Sequence, residues 1–144
     1  MLSCVLFSCI FWASLAGATE FVVIVNTNNP VVGEPSQLAA EISQLYLKKK
    51  TVFKNHDIPA KVYAPGSESA EFKGFIERVL GMSKSRHDLY WARLRQTDGV
   101  AMPMVVESAS SRIRRVERNL GGITMVRAGL VENLPANVKI LMRY

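Results

Sequence analysis

Apolar positions along this chain change their period several times, and each change marks an element. Phe21 to Val25, "FVVIV", is an unbroken apolar, β-branched run of strand length, the pattern of a strand covered on both faces. The segment "NTNNPVVGEPS" that follows is rich in Asn, Pro and Gly, which ends regular structure and places Asn26 to Asn29 at the close of that strand. Ser36 is then expected to cap a helix running to about Lys50. Its inner face would carry Leu38, Ile42, Leu45 and Tyr46, and its last turn Lys48, Lys49 and Lys50, where cations favour the dipole. "AKVYA", Ala60 to Ala64, reads as a second strand. It leads through Gly66-Ser67-Glu68-Ser69 into the most regular amphipathic pattern of the chain, in which Phe72, Phe75, Ile76, Val79 and Leu80 share one helical face until Gly81 stops it.

Further on, "SKSRHDLYWARLRQT" predicts a second, shorter helix and Asp98-Gly99 a turn. Val105 and Val106 support only a short strand. "ESASSRIRRVERNLGG" predicts a helix capped by one of its serines and closed by Gly121 and Gly122, with Ile113, Val116 and Leu120 inward and Arg114, Arg115 and Arg118 outward. "ITMV" and "VKILM" complete the chain as strands. Strands alternating with helices imply an α/β domain whose sheet is mixed or mainly parallel, with helices on both faces.

Composition adds an address. The chain has 144 residues, enough for one domain with a modest core. Its first residues are apolar, without charge, and end in Ala16-Gly17-Ala18, the small-x-small pattern cut by signal peptidase. Residues 1–18 therefore read as a secretory signal and 19–144 as the mature domain, placed in the periplasm or secreted. The run is shorter than the roughly 20 apolar residues of a membrane span, so no transmembrane helix is expected in the mature chain. An uncleaved anchor helix and lipid attachment at Cys9 are the alternatives. No Lys or Arg precedes the apolar region, which is unusual for a signal and leaves room for a start codon upstream.

Both cysteines, Cys4 and Cys9, fall in the proposed signal. The mature domain then has no thiol, which excludes disulfides, Cys–His nucleophilic catalysis and cysteine metal sites. His56 lies in a turn-like "KNHD" and His87 at a polar helix start, and both are read as solvated structural residues. Neither a phosphate-binding P-loop nor a nucleophile elbow occurs. The reading is accordingly of a protein that is not an enzyme, with no cofactor and no metal. The net charge of +6 favours anionic partners. Specific nucleic-acid binding is not expected, because no aromatic platform is interleaved with the basic residues.

What remains is hydroxyls and amides at strand-to-helix junctions. Three polar turns follow strands: Asn26 to Asn29, Gly66 to Ser69, and Ser108 to Ser111. Ligands of open α/β sheets bind outside the carboxyl ends of strands, and phosphate suits turns rich in N–H and O–H donors. Helix capping is the alternative use of the same groups. Ser67 and Ser69 are the candidate donors for an anion, joined by Asn28 and by Ser108 or Ser110.

The order "FVVIVNTNNPV", "LAAEISQLYLKKKTVF", "GSESAEFKGFIERVLG", "LYWARL" and "VERNLGGITMV" resembles the short substrate-binding-like proteins of the phosphate ABC transporter family. That family shows an "IFLGKKTxW" helix end, a "GSGT" turn leading into "F…VLG", a "YW" helix and a "PGAIGYV" strand. These correspond to Tyr46–Phe53, Gly66–Gly81, Tyr90–Trp91 and Gly121–Val126, within a similarity spanning most of residues 21–141. The resemblance implies one lobe of a type II periplasmic-binding-protein-like fold, a role in binding phosphate or a similar oxyanion, and a transporter or other envelope protein as partner. Two departures stand out. Glu68 replaces a glycine of the turn, and Val62-Tyr63-Ala64-Pro65 stands where full-length binding proteins carry an anion-holding arginine. A different class of function fits the remaining charge: an envelope interaction protein with a vestigial ligand site, whose Arg114, Arg115 and Arg118 meet an anionic partner. Mass spectrometry of the protein recovered from the cell envelope is expected to find Thr19 at the N-terminus, and recovery of the uncut chain in the cytosol would refute export.

Overall fold

The computed structural model of the chain describes residues 19–144, so the proposed signal, 1–18, lies outside the described residues. Five strands form one open sheet: β1 (Phe21–Asn26), β2 (Lys61–Ala64), β3 (Met104–Val105), β4 (Gly122–Arg127) and β5 (Val138–Arg143), in the order β3-β2-β4-β1-β5. The sheet is mixed. Strand β2 runs parallel to β3 and β4, whereas β1 runs antiparallel to both its neighbours, β4 and β5. All six residues of β1 are buried, as its unbroken apolar run requires of a strand covered on both faces.

Helices occupy both faces. On one, α1 (Pro35–Tyr46), α2 (Ala70–Arg78) and α3 (Lys84–Asp98) pack Leu38, Ile42, Phe72, Phe75 and Trp91 against Val23, Val25, Ile123 and Met125. On the other, α4 (Ala109–Arg118) and the 3-10 helix Ala128–Asn133 cover Val22, Ile24, Tyr63 and Val126, with Val116 at the centre of that layer.

Local chemistry shifts several boundaries from their sequence expectation. Helix α1 starts at Pro35, with Glu34 rather than Ser36 at its N-cap and no side-chain cap bond. Proline suits the first position because its φ is already helical and its missing N–H would have had no partner there. The same helix ends at Tyr46, short of the lysines, because Lys48 takes a left-handed φ of 58° and reverses the chain. Lys49 and Lys50 donate their amides back to the Gln44 carbonyl from outside the helix. Helix α3, expected to be the shorter, has 15 residues against 9 in α2, and Gly99 closes it at φ 64°. Strand β3 lies one residue early, at Met104 and Val105. Helix α4 stops at Arg118 and continues through an extended Asn119, so Leu120 leaves the inner face and is 45% exposed. Gly121 has a steric reason: a Cβ there would collide with the carbonyl oxygen of Pro59.

His87 departs furthest from its reading as a solvated residue, being fully buried in an aromatic cluster. Trp91 Nε1 donates to His87 Nε2 at 3.1 Å and the Tyr46 hydroxyl lies 2.9 Å from the same atom. A nitrogen that accepts from an indole carries no proton, so Nδ1 holds it and donates to Asp88 Oδ1 at 3.2 Å. Burial pushes the Tyr46 hydroxyl well above the ordinary phenol range, and the Asp88 charge adds to the shift.

A raised folded-state pKa means that the unfolded chain gives up this proton first. The contribution is complete below the unfolded value, about 10, and is lost as pH rises beyond it. Denaturant titrations at about pH 8 and about pH 11 are expected to show a smaller alkaline loss of stability for Tyr46→Phe than for the wild type. At the lower pH this variant should lose about 1 kcal/mol, the worth of its hydrogen bond. Equal alkaline losses would show that Tyr46 does not govern this limb.

Candidate functional site

Strand direction decides which of the three polar turns can meet. Strands β2 and β3 are parallel, so the turns after them, Gly66 to Ser69 and Ser108 to Ser111, emerge at one edge of the sheet. Strand β1 runs opposite to β4, and β4 runs with β2, so Asn26 to Asn29 emerges at the other edge. Helix α4 measures the separation. Ser108 sits at its N-terminus, while Asn26 Nδ2 donates to the Val116 and Glu117 carbonyls near its C-terminus, at 3.2 and 2.9 Å. The 10 residues between span about 15 Å at the helical rise. Asn28 therefore does not join Ser67, Ser69, Ser108 and Ser110. It stands in an Asx turn, its amide bound to Asn26 Oδ1 at 2.9 Å.

At the shared edge, two helices begin. Ser69 is the N-cap of α2, its hydroxyl accepting from Phe72 N at 3.2 Å. Ser108 is the N-cap of α4, accepting from Ser111 N at 3.3 Å, and its hydroxyl is 2.8 Å from that of Ser110. Ser67 is exposed in the turn before α2 and does not cap it. Glu68 points to solvent, where it pairs with Lys73 at 3.1 Å. Gly66 is buried directly under the Glu107 carboxylate, so that a Cβ at this position would strike it. The edge thus offers hydroxyls and the positive ends of two helix dipoles, with one carboxylate already leaning over the first turn.

Beneath these turns lies an ionic cluster that the sequence reading missed. Arg112 is fully buried. Its Nη1 donates to the Val106 and Glu107 carbonyls at 2.8 and 2.7 Å, and its Nη2 to Glu71 Oε1 at 3.1 Å. Arg127 Nε lies 3.6 Å from the other oxygen of Glu71, and the Tyr144 hydroxyl donates to the Glu71 backbone carbonyl at 3.0 Å. Desolvation lowers the Arg112 pKa from its ordinary value, and the Glu71 charge opposes that shift. A signal was present: Arg112 falls four residues before Val116, on the inner stripe of α4, as Glu71 falls four before Phe75 on α2. A buried pair with one acid and one base needs both members, because either alone is an uncompensated charge in the core.

No family profile and no curated protein matches the chain. Solved structures do. An ABC-type phosphate transport receptor from Vibrio cholerae superposes with a TM-score of 0.60 at 19% identity, covering 86% of this chain and 47% of the receptor. A putative phosphate ABC transporter substrate-binding protein with bound phosphate, from Clostridium perfringens, gives 0.62 at 19% identity, covering 85% and 45%. PstS from Borrelia burgdorferi gives 0.62 at 14% identity, covering 85% and 47%. The chain shares its fold with one part of each of these structures. The chain spans less than half the length of each, which corresponds to the single-lobe architecture that the sequence resemblance implied.

The cluster makes a thermodynamic statement that can be checked. Urea titrations of Glu71→Leu, Arg112→Met and the double variant form a cycle. Glu71→Leu strands the Arg112 charge and is expected to cost about 3–5 kcal/mol. The double variant is expected to be more stable than the sum of the two single losses, by roughly 1–3 kcal/mol. Strict additivity would mean that the two charges do not stabilise one another.

Proposed function

We propose that the chain is an exported, non-enzymatic binding module that takes phosphate or a similar oxyanion at the edge bearing Ser67, working beside a transporter or other envelope protein. The observation that carries the reading is the convergence of two helix N-termini, those of α2 and α4, outside the carboxyl ends of the parallel strands β2 and β3. Backbone amides and hydroxyls at such a place donate to an anion without a buried counter-charge. The shared fold supports the same reading, since the structures it matches are a phosphate transport receptor and a putative substrate-binding protein with bound phosphate.

Ser67 is the donor with no capping duty, whereas Ser69 serves α2 first. Glu107 and Glu68 act against an incoming anion, Glu107 more so because it leans on Gly66 while Glu68 is held outward by Lys73. One lobe also supplies only part of the donors of a closing clamp, so the affinity is modest.

Calorimetry with phosphate and with sulfate tests this. Ser67→Ala is expected to weaken phosphate binding by roughly 1–3 kcal/mol with the melting temperature unchanged, the range for a hydrogen bond to a charged group. Glu107→Gln and Glu68→Gly are expected to strengthen it. Absence of phosphate heat up to about millimolar ligand, in both the wild type and Glu107→Gln, would leave the serines as turn and cap residues and remove the oxyanion role.

A further inference from the structure

Strand β3 is one edge of the sheet and, among the described residues, pairs only with β2. Its two residues are apolar yet exposed, Met104 at 56% and Val105 at 51%. Val106 N donates inward to the Ala64 carbonyl at 2.8 Å. Backbone groups alternate sides along a strand, so the N–H and C=O of Val105 face away from β2.

Beside this edge opens a groove of about 500 Å³ whose lining includes Lys48, Lys61, Tyr63, Met104 and Arg115. The Arg115 guanidinium lies over the Tyr63 ring, 5.6 Å from its centroid, which fixes an otherwise mobile cation in place. Arg114 and Arg118 line an adjoining hollow on α4 that shares Arg115. Among the described residues, none of these five cations takes part in an ion pair; the basic partners are Lys73, Lys84, His87, Arg112, Arg127 and Arg143. Lys61 meets only a neutral acceptor, Asn119 Oδ1 at 3.3 Å.

No acid among the described residues lines the groove or the hollow on α4; Asp57 lies in the next hollow beyond Lys61, and Glu117 stands on α4. Like charges so gathered repel one another, which favours an anionic occupant. Edge protection is the other common use of lysine near a sheet edge, but it places the charge on the edge strand itself. Here β3 carries Met and Val, and the cations stand on α4, at the start of β2 and in the turn after α1. We propose that this edge docks an extended acidic segment of a partner protein, which adds to β3 as a further strand and lays its carboxylates along Lys48, Lys61 and Arg115. Main-chain bonds to Val105 supply affinity, and charge supplies selection. The groove opens at the start of β2, away from Gly66 to Ser69, while Val105 pairs with Ala64 at the other end of that strand; the proposal uses none of the serines of the oxyanion reading.

A fluorescent peptide alternating Glu and Val, titrated with the mature protein and followed by anisotropy, tests it. Binding is expected and should weaken as salt is added. The same peptide with N-methyl groups on alternate residues keeps every charge but loses the ladder, and is expected to bind at least about tenfold more weakly to the wild type. Lys61→Glu/Arg115→Glu is expected to lose about tenfold or more, with a circular dichroism spectrum matching the wild type. If that variant fails to fold, the methylated peptide still decides. Absent binding, indifference to salt, equal binding of the methylated peptide, or tighter association with phosphatidylglycerol vesicles or single-stranded DNA than with the peptide would each overturn the proposal.

Discussion

Arg112 carries a positive charge with no exposed surface, and the elements around it are arranged to compensate that charge. Its guanidinium reaches the carbonyls of Val106 and Glu107 after β3, the Glu71 carboxylate in the first turn of α2, and the carbonyl of Met125 in β4 at 3.4 Å. One side chain thus ties the start of α2, the exit of β3 and the body of β4 to α4. Removing the charge would free all of these contacts at once, whereas an apolar residue at the same position would tie none of them. The geometry of the candidate edge follows: Gly66 to Ser69 and Ser108 to Ser111 are neighbours because the strands that deliver them are parallel, and they are held in register by the ionic link below them.

The direction of β1 is the second constraint. A strand buried on both faces can run either way through a sheet, since its apolar pattern has no polarity. The run "FVVIV" therefore located β1 correctly and said nothing of its sense. With β1 reversed against β4, Asn26 turns to the C-terminal end of α4, where its side chain satisfies the Val116 and Glu117 carbonyls, orphan acceptors of the helix end. The Asn-rich turn is thereby explained as a helix closure, and the side-chain amides of Asn26 and Asn29 are spent on the fold.

Periodicity made the helices legible, because burial of one face dictates the spacing: Phe72, Phe75 and Ile76 are all buried in α2, as are Leu38, Ile42, Leu45 and Tyr46 in α1. Ends were less legible where backbone conformation overrode composition, as at Lys48, whose left-handed φ no side-chain pattern announces. The buried polar residues were less legible for a different reason. His87 and Arg112 occupy inner positions by finding partners far along the chain, Tyr46 and Glu71 respectively, and each is separated from its partner by 41 residues. A local reading sees a polar residue and assigns it to solvent; only the folded partner removes the desolvation cost. The serines were legible as hydroxyls at helix starts, but the division of labour between Ser69 as cap and Ser67 as free donor depends on the helix phase.

Charge placement then separates the two faces of the molecule. At the candidate oxyanion edge two acids are answered locally, Glu68 by Lys73 and Glu71 by Arg112 and Arg127, while Glu107 leans over Gly66 and is in no ion pair among the described residues. The net charge of +6 is therefore not concentrated where an anion was first sought. A larger share lies around α4 and the start of β2, where Lys48, Lys61, Arg114, Arg115 and Arg118 are exposed. Attraction over a Debye length, about 8 Å in physiological salt, is set by such uncompensated clusters rather than by paired ones. An anionic chain docked at the β3 edge would gain from this cluster, whereas a small oxyanion at the Ser67 turn would rely on short-range donors.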